Sequence, residues 1–112
     1  GTHVAGIVAG AGGAAAGGGI APTAFIHAVQ VFSRQESDCA FASPCAVAYT
    51  SDIIRGLQRV LALRGQGQPI AAVNLSLGAD LFSGANCDGA TADIDATKAA
   101  IDDLRAAGVA TV

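Results

Sequence analysis

SDIIRGLQRVLALRGQGQPIAAVNLSLG, residues 51–78, carries a helix and a strand in one run. Ile53, Ile54, Leu57, Val60 and Leu61 recur at the spacing of a helix with one apolar face. Ser51 stands where an N-cap is expected, because a hydroxyl there accepts from the free amides of the first turn. Gly65, Gly67 and Pro69 predict the stop: glycine suits the left-handed closing turn, and proline cannot continue a helix. Ile70 to Leu75 then reads as a short buried strand, with a loop running on through about residue 90.

Towards the carboxyl end, Ile94, Ile101 and Leu104 give a further helical face, Gly108 its cap, and Val109 the start of a strand. Towards the amino end, residues 24–32 are rich in β-branched and aromatic side chains and predict a strand. Residues 33–50 are polar and contain Cys39, Pro44 and Cys45; they read as a long surface loop, a kind of segment that is usually functional. Residues 11–19 are only Gly and Ala, and each Gly in a helix costs up to about 1 kcal/mol relative to Ala, so this stretch is a loop. Residues 1–10 are apolar, with small residues at 5, 6, 9 and 10 that let a helix pack closely on a neighbour. The order α, β, α, β, α, β requires crossover connections, which predicts an α/β fold with a parallel sheet flanked by helices. Ligands of such sheets bind beyond the carboxyl ends of the strands, here the loops after residues 32 and 76.

Of the 112 residues 52% are apolar, enough for a sizeable core. With 13% charged residues and a net charge of −3 there is no basic face for nucleic acid. No apolar run reaches the roughly 18 residues of a membrane span, so a water-soluble domain is expected. The chain has no Met, opens inside an apolar segment and stops in what reads as a strand, as an internal piece of a longer protein would. Cys39 and Cys45 flank a short loop and are near enough to bridge if their side chains face each other, with Cys87 left over; three unpaired thiols are the other reading. No Cys-x-x-Cys pair is present, so no metal is assigned.

His3 follows Thr2 at the start of the first helix, where the small residues behind it would let the helix lie against the sheet and fix the ring. By spacing alone such a histidine is more often structural than catalytic. His27, between apolar neighbours, reads as a packed or partly exposed strand residue. Asp52 early and Arg55, Arg59 and Arg64 later in the 51–64 helix suit its dipole and form a solvated face. Gly10 to Ala15 loosely fits a dinucleotide fingerprint, but Gly17, Gly18, Gly19 and Pro22 forbid the helix that fingerprint requires.

Four segments in order carry a resemblance: Gly1-Thr2-His3-Val4-Ala5-Gly6; Gly19-Ile20-Ala21-Pro22-Thr23-Ala24 leading into Ala28–Phe32; Val73-Asn74-Leu75-Ser76-Leu77-Gly78; and Ala106-Ala107-Gly108-Val109. Together they resemble the subtilisin-like serine proteases, and the likeness runs the length of the chain. The resemblance implies a subtilisin-like three-layer fold, incomplete here, with residues 1–112 forming part of a peptidase domain. It implies that His3 is the base of an Asp-His-Ser triad. In the family's chain order the Asp then precedes Gly1, while the Ser and the oxyanion-hole Asn follow Val112. Ser76, Leu77 and Gly78 correspond to the segment whose backbone pairs with an extended polypeptide substrate. The loop 33–50 corresponds to a rim of the substrate groove, longer than in the simplest relatives. The stretch 11–19 occupies the place of a calcium loop in many relatives, yet offers no side-chain oxygen, so no calcium is assigned. A secreted or extracytoplasmic protein is expected. A degenerate relative that binds peptides without cleaving them is the alternative; a cysteine hydrolase pairing His3 with Cys39, Cys45 or Cys87 has no local nucleophile motif behind it.

Overall fold

The computed structural model describes residues 1–12, 17–78 and 87–112. Its elements are α1 (Thr2–Ala9), β1 (Phe32–Gln35), β2 (Cys45–Ala48), α2 (Thr50–Gly65), β3 (Ala72–Val73), α3 (Ala92–Ala106) and β4 (Ala110–Thr111). The core lies where α2 and α3 cover the β3–β4 pair. Leu57, Val60, Ala100, Leu104 and Val109 are buried, and Ile53, Ile54, Leu61, Ile70, Val73, Leu75 and Ile101 pack around them. Among them Ile53, Ile54, Leu57, Val60, Leu61, Ile101 and Leu104 are apolar positions that the helical period marks out, while Ile70, Val73, Leu75 and Val109 lie in or beside the strands.

β3 and β4 are parallel, in the register Ala72↔Ala110 and Val73↔Thr111, with α3 in the connection between them. The bonds Ala110 N to Ala71 O, Val112 N to Val73 O and Leu75 N to Val112 O carry the ladder past the short strands. This is an α/β architecture with a short parallel sheet.

Both long helices end alike. In α2, Gly67 at φ 88° lets Gly67 N reach Arg64 O and Gln68 N reach Leu63 O. In α3, Gly108 at φ 76° lets Gly108 N reach Arg105 O and Val109 N reach Leu104 O. These paired bonds satisfy carbonyls that a helix end leaves free, and an L side chain resists that conformation. At the other end of α3 the Thr91 hydroxyl accepts from Ile94 N at 3.2 Å. α2 differs from expectation here: its N-cap is Tyr49, which has no side-chain cap bond, and Ser51 lies inside the first turn. The chain passes from β2 into the helix within one residue, so the backbone carbonyl of Tyr49 takes the first amides instead.

Two further expectations are corrected. Residues 24–31 form no strand; the ladder begins only at Phe32. Val29 and Val31 lie against α2 at Gly56, but the backbone of residues 25–31 finds no backbone partner among the described residues, and a strand needs one. Residues 33–50 are not a plain loop. β1 and β2 pair antiparallel from Phe32↔Ala48 to Gln35↔Cys45, leaving residues 36–44 as the hairpin loop. The predicted all-parallel sheet is thus divided into a parallel pair and a separate antiparallel hairpin.

Candidate functional site

α1 places His3 in its first turn, with the side chain exposed to solvent. The helix has no side-chain cap and no buried residue. Its far end is held by the returning chain: Gly19 N bonds to Gly10 O, Ile20 N to Ile7 O and Ala21 N to Val8 O. A Cβ on Gly19 would lie 2.5 Å from Gly10 N and 2.7 Å from Ala9 N, so only glycine admits this close return. Residues 13–16, within the stretch 11–19 to which the calcium reading applies, lie outside the described residues.

Ser76, Leu77 and Gly78 follow β3, beyond the point where Leu75 N bonds Val112 O. Asn74 Nδ2 donates to Ser76 Oγ at 2.8 Å, and Leu77 N turns back to Leu75 O. Ser76 and Gly78 are exposed and Leu77 is half-buried. A Cβ on Gly78 would meet no described atom within 4 Å, so no packing within the described chain explains a glycine there. The rest of the loop expected to follow β3, residues 79–86, lies outside the described residues. α1 shares no extensive packing with any other element among the described residues.

The hairpin is the feature that periodicity missed. Cys39 and Cys45 are joined in a disulfide with their Cα atoms 6.0 Å apart, which selects the bridged reading of the cysteines; Cys87 is free. The Ser43–Pro44 peptide in this loop is cis. Tyr49 Oη reaches Gln35 Oε1 at 3.4 Å, linking the hairpin to the start of α2. One groove of about 310 Å³ lies between residues 29–33 and the α2 side chains Asp52, Arg55 and Arg59. A second, of about 470 Å³, lies on the hairpin itself between Phe32, Ser33 and Arg34 on one side and Pro44, Cys45 and Ala46 on the other. His3 and Ser76–Gly78 line neither groove. The signal for the hairpin was the pair of cysteines beside Cys45-Ala46-Val47-Ala48, a short run that a strand accommodates.

His27 is exposed, as are Arg55 and Arg59. Arg55 pairs with Asp52 at 3.5 Å, one turn away on the solvent side of α2. Among the described residues no group of three His, Cys, Asp or Glu is placed to hold a metal ion, and no helix is long and apolar enough to cross a membrane. The sequence model of the Subtilase family matches residues 1–112. No curated protein and no solved structure matches the chain.

Proposed function

The chain belongs to the subtilase family, a family of serine peptidases, and from that premise we propose that it is the histidine-bearing part of a serine endopeptidase. The observation that carries the reading is the family match over the whole chain, with Gly1-Thr2-His3-Val4-Ala5-Gly6 as its histidine segment. In this reading the His3 imidazole takes the proton from a serine hydroxyl as that oxygen attacks the peptide carbonyl, then returns it to the leaving amine. The orienting Asp and the nucleophilic Ser are supplied by segments of the same protein before Gly1 and after Val112. Placing His3 in the first turn of a helix, rather than in a free loop, limits the directions its ring can take.

Ser76, Leu77 and Gly78 hold the extended polypeptide substrate by main-chain hydrogen bonds. Support comes from the exposure of Ser76 and Gly78 just past the end of β3, and from the lack of any described atom within 4 Å of a Cβ on Gly78. The larger subtilisin-like three-layer sheet is completed by the parent's other segments. An extracytoplasmic location is supported by the Cys39–Cys45 bond, since disulfides persist in oxidising compartments.

The test is fluorophosphonate labelling of the intact parent protein together with peptide hydrolysis. Labelling and hydrolysis are expected, and His3→Ala should lower kcat by several orders of magnitude with little change in KM. A parent that binds peptides but neither labels nor cleaves would be a peptide-binding relative, and the enzyme reading would fall.

A further inference from the structure

We propose that the Phe41–Ala42 peptide bond is a limited-proteolysis site, cut by an endopeptidase whose pocket takes an aromatic side chain, and that the cut gives a folded two-chain form tied together by Cys39–Cys45. The hairpin loop offers that bond in the state a protease needs. Phe41 is fully exposed, and Ala40, Ala42, Ser43 and Pro44 around it are exposed as well. Among the described residues, no backbone amide or carbonyl of residues 40–44 has a hydrogen-bond partner. A protease reads its substrate as an extended strand, so a segment with no hydrogen bonds to break enters the cleft at little cost. Exposed loop tips of small residues are where such nicking concentrates.

The sequence of the loop selects the bond. Phe41 is the one large side chain in Ala40-Phe41-Ala42-Ser43-Pro44, and the alanines on either side leave its carbonyl open to attack. Pro44 has no amide hydrogen and a fixed φ, which makes the bond before it a poor substrate. No Lys or Arg lies between Arg34 and Arg55, so a protease that selects a cation finds no bond here. Phe25 is also exposed, but the β-branched Ile26 follows it and crowds the bond, and its segment is held on both sides. Ala24 N bonds Ala21 O before it, and Val29 and Val31 lie against α2 after it.

The cut spares the core. Leu57, Val60, Ala100, Leu104 and Val109 all lie on its carboxyl side, as do α2, β3, α3 and β4. No residue of β1 or β2 is buried, so the hairpin can be opened without exposing buried side chains. Cys39 lies before the cut and Cys45 after it, so their bond spans the break. The step consumes one water. Its oxygen bonds to the Phe41 carbonyl carbon, the bond to the Ala42 nitrogen breaks, and the chain gains a carboxylate on Phe41 and an ammonium on Ala42. The stretch carrying His3 and α1 thus stays covalently joined to the stretch carrying the core.

The experiment treats the intact, oxidised parent with a trace of chymotrypsin under native conditions. The first product should gain the mass of one water and run as a single chain on a denaturing gel without reductant. It should separate into two after dithiothreitol, with Ala42 as the new amino terminus. Phe41→Gly should slow this first cut by about tenfold or more. Amide hydrogen exchange in α2 and α3 should be the same before and after cutting. A first cut elsewhere, such as after Phe25, or no cut short of unfolding, would overturn the site. Lost protection in α2 and α3 would overturn the folded two-chain form. The His3→Ala parent should be cut in the same way, since the added protease does the work, so the outcome is independent of the peptidase reading.

Discussion

Residues 1–31 and residues 50–112 are both rich in Val, Ile and other apolar side chains, yet among the described residues every buried one lies in the second region. Phe25 is 94% exposed and Leu104 is 0% exposed. The difference is one of partners. α2 and α3 each present an apolar stripe, and each meets the other's across the β3–β4 pair. α1 and the extended segment after it have apolar side chains but no such counterpart among the described residues, apart from Val29 and Val31 against Gly56. Hydrophobicity records that a side chain gains by leaving water; it does not name the surface that receives it.

The largest test of that contrast is a pair of truncations. Leu104→Ala should cost about 2–5 kcal/mol of unfolding free energy, while Phe25→Ala in the same chain should cost less than about 0.5 kcal/mol, both read from urea denaturation. Equal costs would break the comparison. A cost for Phe25→Ala above that bound but below that of Leu104→Ala would sharpen it, by showing that the ring is partly covered. A smaller effect is expected at a helix end: Gly108→Ala should cost about 1 kcal/mol, because φ 76° is unfavourable for alanine. Stability unchanged within error would mean that the α3–β4 turn relaxes freely.

The smallest effect concerns charge on α3. Lys98 donates to Asp102, and Arg105 lies 3.4 Å from the other carboxylate oxygen. The Lys98 hydrogen bond is the main cause holding the Asp102 carboxyl below its ordinary value, with the charges of Lys98 and Arg105 adding to it. A depressed acid stabilises the fold above its ordinary value, and that contribution disappears as pH falls through the lowered one. Lys98→Met should therefore move the Asp102 titration upward in an NMR pH series. With the pair at the surface and screened by salt, unfolding measurements near neutral pH should hardly register it. A titration that stays put would show the pair to be idle.

The legible part of the fold was local. The apolar face of α2, the stop at Gly67 and the cap at Gly108 all follow from chemistry within a turn or two, and the residues concerned could be named from periodicity and glycine placement. What could not be read was pairing. Residues 24–32 have the composition of a strand, but whether they find a ladder depends on residues far along the chain. The hairpin was hidden for a related reason: a polar, proline-bearing segment looks like loop until Cys39 and Cys45 are seen to be joined. Ser51 illustrates the finer limit, since the tight passage from β2 moved the cap to the backbone of Tyr49. The candidate site was legible only as motifs. His3 and Ser76–Gly78 could be singled out, but their mutual distance is set by packing that no short motif encodes.

Gly56 has a consequence for how this sequence can drift. A Cβ there would stand 2.9 Å from Val31 Cγ1 and 3.4 Å from Val29 Cγ1. An added methyl at 56 therefore requires the Val31 side chain to shift. Among descendants of this chain, position 56 should stay glycine for as long as position 31 keeps a branched side chain. An alanine at 56 should arrive together with something smaller at 31, so the history of one residue is written in the other.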